Sequence, residues 1–243
     1  MKKIIVVLVG PQAIGKTTQA RLLKWKLETQ GYNKICITDL VHYTLLHLEF
    51  QKFLRVLCKG RKIMGQFYED EPPAPTVDPR VYKKLFAIQE ALHVLGFALS
   101  FAKQKILMMC NTILIEYEGY IFKQLADLWF LAKELKVVEE ESFALKSLRK
   151  ITIFLLSSIS RVDTLVIILL DADFETIKAR CSKKQSPIEP RKYVTFQSIL
   201  YDKIITIIPK LTNRNVKVVR INANRSISDV NSDIFSIFLQ NML

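Results

Sequence analysis

Ile4-Ile5-Val6-Val7-Leu8-Val9-Gly10-Pro11-Gln12-Ala13-Ile14-Gly15-Lys16-Thr17 is the stretch on which the fold of this 243-residue chain turns. Its first six residues are apolar and mostly β-branched, the composition of a strand buried in a parallel sheet. The next eight satisfy G-x-x-x-x-G-K-[ST] at every fixed position. Thr17 to Leu27 then places Ala20, Leu23 and Leu27 on one helical face, with charged residues opposite. Strand, glycine loop and helix in that order are the setting that the pattern needs. Gly10 and Gly15 let the backbone turn tightly and aim several N–H groups at one point, and the helix adds its positive end, so a polyphosphate can be held. Gly10, Gln12, Ala13, Ile14, Gly15, Lys16, Thr17 and Thr18 are the expected phosphate-binding set. Lys16 would reach the β- and γ-phosphates of ATP, and the Thr17 hydroxyl would ligate Mg²⁺. The alternative is a glycine turn with an incidental lysine.

Composition narrows what surrounds this stretch. A chain of this length suits one α/β domain with excursions, residues 1–243, better than two separate domains. Gly and Pro number only 7 and 8, which argues against long disordered linkers. Lys2-Lys3 ahead of an apolar run resembles a signal peptide, but the run passes straight into the glycine loop without a small-residue cleavage site. The apolar stretches Leu92 to Cys110 and Ile151 to Leu170 are interrupted by Lys103 and Lys105 and by Arg161 and Asp163, so neither reads as a bilayer span. A soluble, cytoplasmic protein without membrane attachment is expected. The four cysteines lie far apart without C-x-x-C spacing, so no zinc site or disulfide framework is expected. A net charge of +13 favours an anionic partner. No nucleic-acid-binding motif accompanies the charge, so a small nucleotide is preferred to DNA or RNA; a nucleic-acid-associated NTPase and a homodimer stay as alternatives.

Further along, Lys34 to Thr38 reads as a second strand ending at Asp39, either a substrate contact or a helix cap. Leu45 to Lys59 reads as a helix carrying Arg55, whose planar fork suits a monophosphate, unless it is a solvated charge. The proline-rich, acidic stretch 65–80 would line or cover a substrate pocket. Val81 to Met109 reads as a helix and Thr112 to Ile115 as a third strand ending in Glu116-Tyr117-Glu118. Either glutamate, on the same side by alternation, would orient Mg²⁺ or take a proton from an attacking oxygen; a solvated strand end is the other reading. Helices are expected over Gly119 to Leu135 and Glu139 to Ser160, and Thr164 to Leu170 is a wholly apolar strand. A helix from Phe174 to Cys181, a basic loop, a helix from Tyr193 to Pro209, a strand Val216 to Ile221 and a C-terminal helix from Ile227 complete the alternation. It predicts a three-layer αβα sandwich with a five-stranded parallel sheet. Residues 181–192 would form a lid in which Arg180, Lys183, Lys184 and Arg191 close over the transferring phosphate and exclude water.

Taken with the glycine loop, three segments resemble the thymidylate kinase family of P-loop nucleoside monophosphate kinases. They are Val166 to Asp173 running on to Arg180, the lid-like stretch before Tyr193, and Ile221-Asn222-Ala223-Asn224-Arg225-Ser226-Ile227-Ser228-Asp229-Val230. Phe50 to Leu57 is similar to the family's helix whose arginine contacts the acceptor monophosphate, the part Arg55 would play. The resemblance implies ATP and Mg²⁺ as cofactors, adenine packed on the Ala223-Asn224 backbone, and a role in nucleotide biosynthesis. It places an acceptor region at about 40–130. Where the family has Asp-Arg after the third strand, this chain has Glu116-Tyr117-Glu118-Gly119, and it has no arginine between Arg80 and Arg149. A different small acceptor, or a nucleotide-dependent binding module with an eroded acceptor site, is therefore kept beside the monophosphate kinase.

Overall fold

In the computed structural model, residues 3–39, 99, 102–117, 122, 146, 150, 164–185, 188, 191–211 and 215–242 are described. Their elements are β1 (Ile4–Val9), α1 (Lys16–Thr29), β2 (Ile35–Thr38), α2 (102–110), β3 (Ile113–Glu116), β4 (Thr164–Asp171), α3 (Phe174–Lys184), α4 (Arg191–Leu211), β5 (Val216–Asn222) and α5 (Ile227–Met242). Most of the acceptor region at 40–130, including Arg55, the 65–80 stretch and Glu118, lies outside the described residues. So do most of the helices expected over 45–59, 81–109, 119–135 and 139–160.

The five strands form one parallel sheet in the order β2-β3-β1-β4-β5. β1 and β4 are central because they are apolar at nearly every position; all six residues of β1 and seven of eight in β4 are buried. A strand that is apolar on both sides needs a cover on each face. On one face Ile4, Val6 and Leu8 join Leu23 and Leu27 of α1 and Ile234 and Phe238 of α5 in a single cluster. The alternate residues Ile5, Val7 and Val9 are equally buried on the other face, and the arrangement is compatible with a three-layer sandwich.

Local signals explain where several elements stop. α1 ends in a Schellman motif: Gly31, at φ 83°, and Tyr32 donate their N–H groups to the Glu28 and Leu27 carbonyls. Tyr32 then stands edge-on to Phe238 at 6.1 Å, tying that turn to α5. Asp173 caps α3 by accepting from the Thr176 N–H at 2.7 Å. Several elements run longer than expected. α3 continues three residues past Cys181 to Lys184 and stops on Gln185 in a left-handed conformation at φ 50°. α4 begins at Arg191, and β3 includes Glu116. Lys183, Lys184 and Arg191 are therefore helical, which narrows the expected lid loop to the residues between α3 and α4. No helix among the described residues is long and apolar enough to cross a membrane.

Candidate functional site

The chain leaves β1 toward β2, past β3, and leaves β4 toward β5 on the opposite side. Loops that part in opposite directions open a crevice at the carboxyl ends of the strands, the usual place for a ligand in such sheets. The 10–15 loop sits there. A Cβ built on Gly10 would stand 2.8 Å from the Leu170 carbonyl oxygen, so the ends of β1 and β4 approach too closely for any side chain. Ala13 (φ 59°) and Gly15 (φ 108°) have left-handed backbone, and Gln12 and Ile14 do not. Left-handed residues alternating with right-handed ones are the backbone pattern that turns successive N–H groups to one side in anion-binding nests.

Gly15 caps α1 without a side-chain hydrogen bond. The first bond of α1 in register runs from the Gln19 N–H to the Gly15 carbonyl at 2.9 Å, so the Thr17 and Thr18 amides precede it at the positive end of the helix. Lys16 is 8% exposed, and its ammonium donates to the Gly10 and Pro11 carbonyls at 2.8 and 2.9 Å. The loop thus holds a buried cation at its own centre, with the Gly10 and Pro11 carbonyls among its acceptors.

A cleft of about 340 Å³ opens beside the loop, between the start of α1, the end of α3 and the turn from β5 into α5. Ala13, Gly15, Thr18, Arg180, Lys183 and Ala223 are among its lining residues, which include no carboxylate. Among the described residues, this lining of cations and apolar side chains without a carboxylate favours an anionic ligand with an apolar portion. Arg180 is half-buried between the walls, donating to the Ile14 carbonyl at 3.1 Å and to the Ala223 carbonyl at 2.8 Å.

The expected residues divide. Gly15, Lys16, Thr18, Arg180, Lys183, Lys184 and Ala223 gather at the loop and its cleft. Asn224 does not line that cleft. It accepts from the Asp173 N–H at 3.0 Å and faces a separate cavity of about 580 Å³, bordered by Asp171, Phe174, Ser198 and Arg220. Arg191 is drawn the same way, paired with Glu175 and lying over the Phe174 ring at 4.7 Å. Asp39 ends β2, two strands from β1, in an exposed pair with Lys103. Glu116 is fully buried and level with Val7, three residues or about 10 Å along the strand before Gly10.

Two residues matter here that carried no signal in the sequence. Gln19, 3% exposed, donates to the Ile227 carbonyl at 3.0 Å and accepts from Asn231 at 3.0 Å, clamping α5 to α1 in the wall of the cleft. Gln104, 1% exposed, has a side-chain nitrogen with no hydrogen-bond partner among the described residues. Its neighbour Lys103 bonds the Asp39 carbonyl at 2.8 Å, which sets this turn of α2 at the carboxyl ends of β2 and β3. Thr38 and Glu116 are buried there in register, so polar groups collect at that edge of the sheet. Helical periodicity could mark both glutamines as inward-facing, but not their partners.

Among ionisable groups, the Thr176 hydrogen bond holds the Asp173 carboxyl below its ordinary value, and Asp171 raises the already high Arg220. Among the described residues no group of three or more His, Cys, Asp or Glu is placed to hold a metal ion. The donors for a nucleotide-bound Mg²⁺ would be the Thr17 hydroxyl and phosphate oxygens, a set that suits a hard cation bound chiefly through its substrate. Against known proteins, the chain matches no family model and no curated protein.

Proposed function

We propose that this chain is an ATP-dependent phosphotransferase that carries the γ-phosphate of ATP to a nucleoside monophosphate. The supporting observation is the 10–15 loop: left-handed backbone at Ala13 and Gly15, a helix start behind it and a buried Lys16 ammonium at its centre. Nucleotide phosphates would exchange the two carbonyl acceptors of Lys16 for anionic oxygens, a stronger charge-assisted bond in the same low-dielectric site. Amides of the loop and of Thr17 and Thr18 would hold the β- and γ-phosphates, and Thr17 would complete the coordination of Mg²⁺. Mg²⁺ supplies charge neutralisation across the β- and γ-oxygens. Lys183 and Lys184, exposed at the end of α3, would add positive charge near the transferring group.

The acceptor belongs at the carboxyl ends of β2 and β3, where Thr38 and Glu116 are buried. Glu116 or Glu118 would handle metal-bound water or position the acceptor, and Arg55 would hold its phosphate. The test is ADP release with Mg²⁺-ATP across the common nucleoside monophosphates, for wild type and Lys16→Ala. Acceptor-dependent turnover in wild type, lost in Lys16→Ala, is expected. Turnover that no monophosphate raises above the Lys16→Ala background would overturn the assignment.

A further inference from the structure

Arg180 lies between the two walls of the cleft and bonds both. One terminal nitrogen donates to the glycine loop through the Ile14 carbonyl, the other to the β5–α5 turn through the Ala223 carbonyl, at 3.1 and 2.8 Å. Both acceptors are backbone atoms, and the guanidinium is a rigid planar fork, so the two bonds fix one spacing between loop and turn. The turn has a second anchor of its own. The Ala223 N–H donates to the Asp171 carbonyl at 2.7 Å, and Asn224 accepts from the Asp173 N–H. A shift of the turn is therefore transmitted to the loop through Arg180.

We infer that Arg180 is a positioning residue that couples the nucleoside half of the cleft to the phosphate loop, and not a clamp on the transferring phosphate. The inference rests on the cleft being the donor-nucleotide site. A clamp turns its leading nitrogens toward the anion; here both serve carbonyls. Lys183 and Lys184, three and four residues further along α3, line the same cleft and are exposed, so the clamping part falls to them. A nucleoside seated against the turn then holds the loop, through Arg180, in its anion-binding shape. Phosphates that carry a nucleoside gain an advantage over bare polyphosphate.

Calorimetric titration of the full chain with Mg²⁺-ADP and with Mg²⁺-tripolyphosphate separates the two roles. Arg180→Met is expected to weaken ADP about tenfold while tripolyphosphate stays within about twofold, the scale of losing one charge-assisted hydrogen bond. Retained tripolyphosphate binding also shows that the loop is folded. Arg180→Lys, reaching one carbonyl at a time, should fall between, and it carries the test if the methionine variant does not fold. Parallel loss of both ligands would make Arg180 a phosphate clamp and overturn the inference, as would unchanged ADP affinity. Wild type binding neither ligand would overturn it together with the proposed function. The predicted ADP effect without transfer to any monophosphate would leave the coupling intact and refute only the transferase.

Discussion

Gly10→Ala adds one methyl group where the structure has no room for it. The new Cβ would lie 2.8 Å from the Leu170 carbonyl oxygen, 3.0 Å from Ile14 Cγ2 and 3.3 Å from Leu170 Cβ. Ile14 can adjust, but the Leu170 carbonyl belongs to the backbone of β4, whose neighbour in register is Ile221 of β5. Relief therefore requires the ends of β1 and β4 to separate by several tenths of an ångström at the centre of the sheet. Overpacking of this kind costs about 1–3 kcal/mol. For a chain of this size each kcal/mol lowers the melting temperature by about 2–4 °C. Gly15→Ala provides the contrast, because a Cβ there meets nothing within 4 Å, but the backbone φ of 108° disfavours any side chain. Its cost is conformational, about 1–2 kcal/mol. Urea unfolding of both variants should show lowered midpoints with unchanged m-values. A Gly10→Ala protein as stable as wild type would refute the close approach of β1 to β4 on which the site's placement depends.

Three further substitutions have definite outcomes. Gln104→Leu should raise stability by about 1–2 kcal/mol in urea unfolding, because it removes a buried amide nitrogen that has no partner among the described residues; a loss of stability would mean that the amide is satisfied. Asp173→Ala should lower the melting temperature at neutral pH by removing the α3 cap. Because the folded-state carboxyl is held below its ordinary value of 3.8, the cap's contribution is complete above that value and disappears as pH falls through the depressed one. The deficit against wild type should accordingly shrink in acid, and a deficit constant down to pH 2 would contradict the cap. Gln19→Leu breaks the bonds to Ile227 and Asn231. It should cost about 1–3 kcal/mol and speed hydrogen exchange at the start of α5; unchanged exchange there would show that the clamp is unimportant.

The sequence made the centre of the molecule readable and left its joints obscure. Ile4 to Val9 and Leu165 to Leu170 are apolar without interruption, the mark of strands covered on both faces, and they are the central strand and its neighbour. The two glycines of the 10–15 loop have different structural reasons, close approach of β4 at Gly10 and left-handed backbone at Gly15. Element ends were harder. Glu116, Asp171 and Asn222 are polar and read as the place where each strand gives out, yet a strand ladder is built from backbone groups and tolerates them. α3 outran its expected end because Gln185, and not a glycine, takes the left-handed cap. The roles within the site were hardest. Nothing local to Arg180 indicates that its partners are carbonyls 166 and 43 residues away. Likewise, Ala223 and Asn224 are adjacent in sequence but border different cavities.

The central claim, that the backbone from Ala13 to Thr18 grips a triphosphate, is tested most directly by amide NMR. A non-hydrolysable ATP analogue with Mg²⁺ is added to the isotopically labelled chain. The account predicts that the largest amide shifts fall at Gly15, Lys16, Thr17 and Thr18, with smaller ones at Ala223 to Ile227, and that Lys16→Ala abolishes them. Shifts confined to other parts of the molecule, or none at saturating nucleotide, would contradict it.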